Sequence, residues 1–201
     1  ITSAIDASAV VSLGADLVGI IFAENSTRRV SPEQAKYICQ AVGGEKVVAV
    51  FQNQTVQEIW ELRESMGFRY VQLHGEESPD IARALHPCIK AITVFKPDDV
   101  KHALDYAQYA EYVLFDRPKG LNALQWISDT INSLNHNQPT TKFFLAGGLA
   151  ASNVRHSIDS ITSPNLVGVD VATGTECVPG VKDLRLVRKF LLEAKGDAVT
   201  R

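Results

Sequence analysis

The chain has 201 residues, 45% of them hydrophobic, and a formal net charge of −3. That is enough apolar sequence for one sizeable core, and slightly short for a complete eight-fold α/β barrel. No basic block, like-charge tail or apolar run of membrane-crossing length is present, which argues against nucleic acid and membrane as partners and leaves a small molecule as the expected ligand.

Ile5–Leu13 reads as a helix with no strand ahead of it. The apolar run Leu17–Phe22 follows as a strand. Ser31-Pro32-Glu33-Gln34 then supplies a cap, a proline at the first helical position and a Gln at N3. Lys46–Phe51 is the next strand, and Val47-Val48-Ala49-Val50-Phe51 within it is apolar on both faces, as in a parallel sheet covered by helices. Thr55-Val56-Gln57-Glu58 is a second capping box, with Gly67 placed to end its helix. Tyr70–Leu73 is a strand and Ser78-Pro79-Asp80 starts a helix. Ile89–Val94, Tyr112–Phe115, Phe143–Ala146 and Leu166–Val171 complete seven strands. Ser152 or Asn153 starts a short helix, and Asp183 caps the last one, whose expected apolar face is Leu184, Val187 and Leu191. No linker or low-complexity stretch divides the chain, so residues 1–201 read as one domain. Seven parallel strands fit either an open doubly wound sheet or a barrel lacking one stave. Two glycine-bearing strand ends favour the barrel: Ala146-Gly147-Gly148-Leu149 and Val171-Ala172-Thr173-Gly174. Barrel enzymes often bind phosphate at the loops after their last two strands.

Cys39, Cys88 and Cys177 lack CxxC spacing, so neither a disulfide framework nor a metal site is expected, and a reducing cytoplasm is the simplest setting. The chain opens on Ile1 without the charged-then-apolar pattern of a signal peptide.

The strand ends, taken in order, form a series: Gly14-Ala15-Asp16 with Gly19-Ile20-Ile21-Phe22, Ser26-Thr27-Arg28-Arg29-Val30-Ser31, Val50-Phe51-Gln52-Asn53, Val71-Gln72-Leu73-His74-Gly75 with Glu77-Ser78-Pro79, and Ile89-Lys90-Ala91-Ile92. Later come Ala146-Gly147-Gly148-Leu149 with Asn153-Val154, Gly168-Val169-Asp170-Val171 with Gly174 and Glu176, and Pro179-Gly180-Val181-Lys182-Asp183. In order and spacing these segments resemble those of the phosphoribosylanthranilate isomerase family across nearly the whole chain. The resemblance implies a (β/α)8 TIM barrel of tryptophan biosynthesis. The implied reaction is an Amadori rearrangement of N-(5-phosphoribosyl)anthranilate, without metal, redox cofactor or cosubstrate. Two departures stand out. The family's first strand ends Lys-Ile-Cys-Gly-Ile-Thr, its Cys being the general base; Ile1-Thr2 align with the last two of these residues, so the strand and its Cys are expected just upstream. The family's Gly-rich flap is represented after Asp116 only by Arg117-Pro118-Lys119-Gly120-Leu121, before Gln125-Trp126.

Asp116 closes the apolar run Tyr112-Val113-Leu114-Phe115, which places it at the carboxyl mouth of a strand. It is the expected general acid, with an apolar surround that would keep it protonated. Arg28 aligns with the family's arginine and offers a planar fork for the anthranilate carboxylate. Gly147, Gly148, Thr173 and Gly174 are the expected phosphate contacts, because backbone N–H groups without a neighbouring Cβ can approach phosphate oxygens. Asp170 is placed to bond a sugar hydroxyl, and His74 to support the pocket without a catalytic role. None of the three cysteines is expected as the base: Cys39 lies in a helix, Cys88 ahead of its strand, and Cys177 beside the phosphate loop. A competing reading is a non-catalytic phosphosugar-binding barrel that has lost base and flap. The indole-forming lyase of the same pathway would need strand-end lysines, whereas Lys90 sits within its strand and Lys46 starts one. The resemblance allows a monomer or a dimer; a monomer is expected.

Overall fold

A computed structural model describes residues 1–118, 124–134 and 142–196. The seven runs read as strands form one parallel sheet in sequence order: β1 Val18–Ile21, β2 Val47–Phe51, β3 Tyr70–Leu73, β4 Cys88–Thr93, β5 Tyr112–Asp116, β6 Phe143–Ala146 and β7 Leu166–Val169. Helix α1 (Ala4–Ser12) precedes them. Each strand then leads to a helix: α2 Pro32–Val42, α3 Val56–Met66, α4 Pro79–Ala84, α5 Pro97–His102, α6 Leu124–Leu134, α7 Val154–Asp159 and α8 Leu184–Lys195.

Three of the expected start signals operate as side-chain hydrogen bonds, whereas Ser78 and Asn153 hold the N-cap positions of α4 and α7 without one. Ser31 and Gln34, and Thr55 and Glu58, close reciprocal capping boxes, and Gly67 ends α3 at a left-handed φ of 68°. Asn153 occupies the N-cap position of α7, and Asp183 accepts from the Arg185 and Leu186 amides to start α8. Three details differ from the sequence reading. Cys88 is the first residue of β4 rather than a residue ahead of it. The buried face of α8 is Val187, Phe190 and Leu191, while Leu184, in the first turn, is exposed. The segment read as a plain lead into α8 contains an antiparallel hairpin, β8 Glu176–Val178 and β9 Val181–Lys182, turning at Pro179-Gly180 with Gly180 at φ 88°.

Residue parity along the strands separates two faces. Val47, Ala49, Phe51, Val71, Leu73, Ile92, Val113, Phe115, Phe143 and Leu145 pack against the helices. The alternate positions Val48, Tyr70, Ile89, Ala91, Leu114 and Ala146, with Leu17, Tyr112 and Phe144, form a second cluster. Tyr70 on β3 and Tyr112 on β5 meet with ring centroids 5.8 Å apart although β4 lies between them, so the sheet is curled around this inner cluster. Gly168 faces the Phe144 ring, which occupies the space a Cβ would take. β1 and β7 do not pair with each other among the described residues, and so form the two edges of the sheet. Across those edges the Ile1 nitrogen donates to Gly19 O at 2.8 Å and the Thr2 hydroxyl to Gly180 O at 2.6 Å.

Lys90 lies on the helix-facing side of β4 and is buried, as is Glu77. Its Nζ donates to Glu77 Oε2 at 2.8 Å and to Gly75 O, beside the Tyr106 ring. Glu77 also accepts from the amides of Asn53 (2.8 Å) and Gly75 (2.9 Å). Burial alone would push this carboxyl up; the Asn53 amide and the Lys90 ammonium outweigh it and hold it below the ordinary glutamate range. Stability from this group is therefore present above the unfolded-state value and lost as pH falls through the lower folded value. Lys90→Met strands a buried carboxylate and is expected to cost about 3–5 kcal/mol in urea unfolding at pH 7, with much of the loss recovered in Lys90→Met/Glu77→Gln. A single-variant cost under about 1 kcal/mol would show that the pair is not desolvated.

Candidate active site

The inner-face parity that buries Tyr112 and Leu114 carries on to Asp116, the one that buries Tyr70 carries on through Gln72 to His74, and Gly168 leads to Asp170. The carboxyl rim of the curled sheet thus gathers Asp116, His74 and Asp170. Asp116 pairs in register with Thr93 on one side and Ala146 on the other. Its Oδ2 lies 3.3 Å from His74 Nε2, and both side chains are 30% exposed. Gln72, buried, places its Nε2 3.1 Å from His74 Nδ1. With the amide donating there, the imidazole proton sits on Nε2 and faces Asp116. The Asp170 amide donates to Leu145 O at 2.9 Å, which fixes its position beside β6. Its carboxyl is open to solvent yet crowded by protein within the rim; that crowding first, and the Asp116 carboxylate second, push it above the ordinary aspartate range.

Arg28 sits in the loop after β1, which folds back so that Val30 N bonds Ile21 O. Its guanidinium is not free. Nε donates to Glu176 Oε1 at 2.9 Å and Nη2 to Oε2 at 2.6 Å, with Thr173 Oγ1 3.4 Å from Nη2. The hydrogen bonds to Glu176 raise the arginine's pKa. Burial would lift the Glu176 carboxyl, but Arg28 and Lys182 hold it below its usual range. Lys182 Nζ is 3.6 Å from Glu176 Oε1 and donates to Ala172 O at 2.9 Å and Thr175 Oγ1 at 3.1 Å. Burial lowers the lysine's pKa below that of an exposed one.

The glycine turns stand at the ends of β6 and β7. Gly147 (φ 83°) packs its α-carbon onto the Arg117 backbone, immediately after Asp116, whereas Gly148 (φ 64°) faces open space. Gly174 packs against Leu149 O, bringing the two turns together. Asn153 holds the first turn by accepting from Ala150 N at 2.8 Å and donating to Gly148 O at 3.0 Å. Among the described residues, no protein acceptor takes the backbone N–H of Gly147, Gly148, Thr173 or Gly174. Lys119, Gly120 and Leu121 of the expected flap lie outside the described residues.

Sequence reasoning gave no role to Glu176, Lys182 or Gln72, although all three stand inside segments singled out for other residues. Cys39 and Cys88 are buried, the latter with its thiol pushed up to about 12 by burial, and Cys177 is exposed and unpaired. Among the described residues no group of His, Cys, Asp and Glu could hold a metal ion, and no helix is long and apolar enough to cross a membrane.

Residues 1–193 match the family model described as N-(5'phosphoribosyl)anthranilate (PRA) isomerase. A Bacillus cereus protein named N-(5'-phosphoribosyl)anthranilate isomerase is 34% identical over 201 residues, covering 97% of this chain and 96% of its own. The crystal structure of phosphoribosyl anthranilate isomerase from Thermotoga maritima superposes with a TM-score of 0.86 at 32% identity, covering 98% of this chain and 96% of that one. A solved structure of phosphoribosyl anthranilate isomerase in complex with reduced 1-(o-carboxyphenylamino)-1-deoxyribulose 5-phosphate gives 0.84 at 32% identity, over 98% and 95% of the two chains.

The two adjacent glycines make a contrast that can be measured. Gly148→Ala adds a Cβ to open space and is expected to cost about 1–2 kcal/mol for its left-handed backbone. Gly147→Ala adds overpacking against Arg117 and is expected to cost about 2–5 kcal/mol in guanidinium unfolding. Equal costs would mean that Arg117 does not lie over Gly147.

Proposed function

The chain belongs to the N-(5'-phosphoribosyl)anthranilate isomerase family, and from that premise we propose that the rim around Asp116 is where it performs the family's aldose–ketose rearrangement. The enzyme is an isomerase of tryptophan biosynthesis that converts N-(5-phosphoribosyl)anthranilate to 1-(2-carboxyphenylamino)-1-deoxyribulose 5-phosphate.

Asp116 is the proposed general acid. As it protonates the ribose ring oxygen, the anthranilate nitrogen lone pair forms C1=N and the C1–O bond breaks, leaving a hydroxyl at C4. Loss of the C2 proton gives an enaminol, and protonation at C1 with collapse to the C2 ketone gives the aminoketose. The single observation that carries this assignment is the inward register of Asp116 at the carboxyl rim, with His74 Nε2 3.3 Å from its Oδ2. His74 orients the acid. Asp170, its carboxyl raised above the ordinary aspartate range, is placed to bond a sugar hydroxyl. The unengaged amides of Gly147, Gly148, Thr173 and Gly174 receive the phosphate. Arg28 takes the ring carboxylate. For the general base, the resemblance points to a cysteine on a strand ahead of Ile1, and the unpaired edges of β1 and β7 suit a strand between them that closes an eight-stranded barrel. The three unpaired cysteines suit a cytoplasmic setting.

Asp116→Asn keeps the shape of the rim and removes the proton. Turnover, followed as the loss of anthranilate fluorescence from the full-length protein, is expected to fall by at least about 10²-fold, while the reduced product analogue binds within about threefold of the unaltered protein. Turnover retained within about tenfold would take the acid role away from Asp116.

A further inference from the structure

The Arg28 fork has two carboxylate-binding edges, and one is already filled. Glu176 reaches the Nε/Nη2 edge from 148 residues away, accepting three hydrogen bonds from Nε and Nη2, each at 3.0 Å or less. The Glu176 side chain is only 4% exposed, so this carboxylate is a fixed part of the wall. Nη1 bonds no protein acceptor among the described residues. Lys182 stands on the other side of Glu176 and bonds Ala172 O and Thr175 Oγ1, the turn that carries Thr173 and Gly174.

We propose that Glu176 is a specificity-determining positioning residue: it holds Arg28 by the Nε/Nη2 edge so that Nη1 faces the substrate's aryl carboxylate, making the site select carboxylated arylamine phosphosugars over uncarboxylated ones. This rests on the assignment of Arg28 as the carboxylate clamp made above. Two opposing effects decide the sign. The negative charge of Glu176 repels a second carboxylate, and freeing Arg28 from it would expose a better fork. Against this, the cluster Arg28, Lys182 and Glu176 carries two positive charges and one negative, so it still attracts an anion. An arginine already immobilised also loses little side-chain entropy when the ligand arrives, which is worth about tenfold in affinity. The burial of Glu176 and its second cation, Lys182, favour preorganisation over competition. Through Lys182 the same carboxylate also fixes the Thr173–Thr175 turn relative to Arg28, so the two ends of the substrate are held at one spacing.

The test is calorimetric titration of the full-length protein with two probes. One is the reduced product analogue, and the other its phenylamino counterpart lacking the ring carboxylate. Glu176→Ala and the near-isosteric Glu176→Gln are each expected to weaken the carboxylated probe by about tenfold, and the uncarboxylated probe by less than about threefold. In an Arg28→Ala background, Glu176→Gln should no longer change the ratio between the probes. Equal loss on both probes, no change on either, or tighter binding of the carboxylated one overturns the proposal. If Glu176→Ala does not fold, the Gln variant decides alone. If the unaltered protein binds neither probe, the reading of the whole site fails and this inference with it; if it binds both and only the ratio is insensitive to Glu176, this inference alone fails.

Discussion

Strand parity is the constraint on which the rest of the molecule depends. In β5 the alternation that sends Val113 and Phe115 to the helices sends Tyr112, Leu114 and then Asp116 to the inner face. A slip of one residue would bury Asp116 among helix side chains and put Phe115 at the rim. The ladder guards against that slip from both sides, since β5 pairs with β4 from Ile89↔Tyr112 to Thr93↔Asp116 and with β6 from Val113↔Phe143 to Asp116↔Ala146. The same alternation delivers His74 and Asp170. Three titratable side chains from three separate strands meet because each strand counts in twos from an apolar inner layer.

Charge then arranges what the ladder cannot reach. The loops after β1 and β7 leave from opposite edges of the sheet, and Arg28, Glu176 and Lys182 tie them together. Lys90 and Glu77 do a comparable task behind the rim, where Glu77 gathers the amides of Asn53 and Gly75 and so fixes the turn that follows His74. Asn53 accepts a left-handed φ of 64° there, with its Oδ1 receiving the Glu76 amide. Lys90 and Glu77 are both deeply buried, and Glu176 is buried beneath a partly exposed Arg28, so the value of these pairs lies in geometry at least as much as in stability. The glycines add close approach: Gly147 lets the Arg117 backbone settle beside Asp116, and Gly174 lets the loop after β7 touch the loop after β6.

Much of this was legible in the sequence because it is local. The β-branched runs, the Ser31 and Thr55 capping boxes and Gly67 each act within a few residues, and each strand and cap stands where those residues put it. Asp116 was readable as a strand-end carboxylate because its own strand announces it. Glu176 and Lys90 were not, because their partners lie 148 and 13 residues away and neither the period nor the composition of their segments marks a charge for burial. Lys90 even breaks the apolar run of β4, a break that makes sense only once Glu77 is seen behind it. The β8–β9 hairpin escaped notice because Pro179-Gly180 sits between strands of three and two residues, too short for alternation to register. Leu184 fitted the α8 spacing and is exposed all the same, since the buried face is completed by Phe190.

The most direct trial of the account is a crystal structure of the full-length protein with the reduced product analogue. The analogue's phosphate is expected on the amides of the Gly147–Gly148 and Thr173–Gly174 turns, its ring carboxylate on Arg28, and its sugar chain against Asp116. Density for the analogue away from this rim, or a phosphate bound by side chains elsewhere while the glycine amides stay unoccupied, would contradict it.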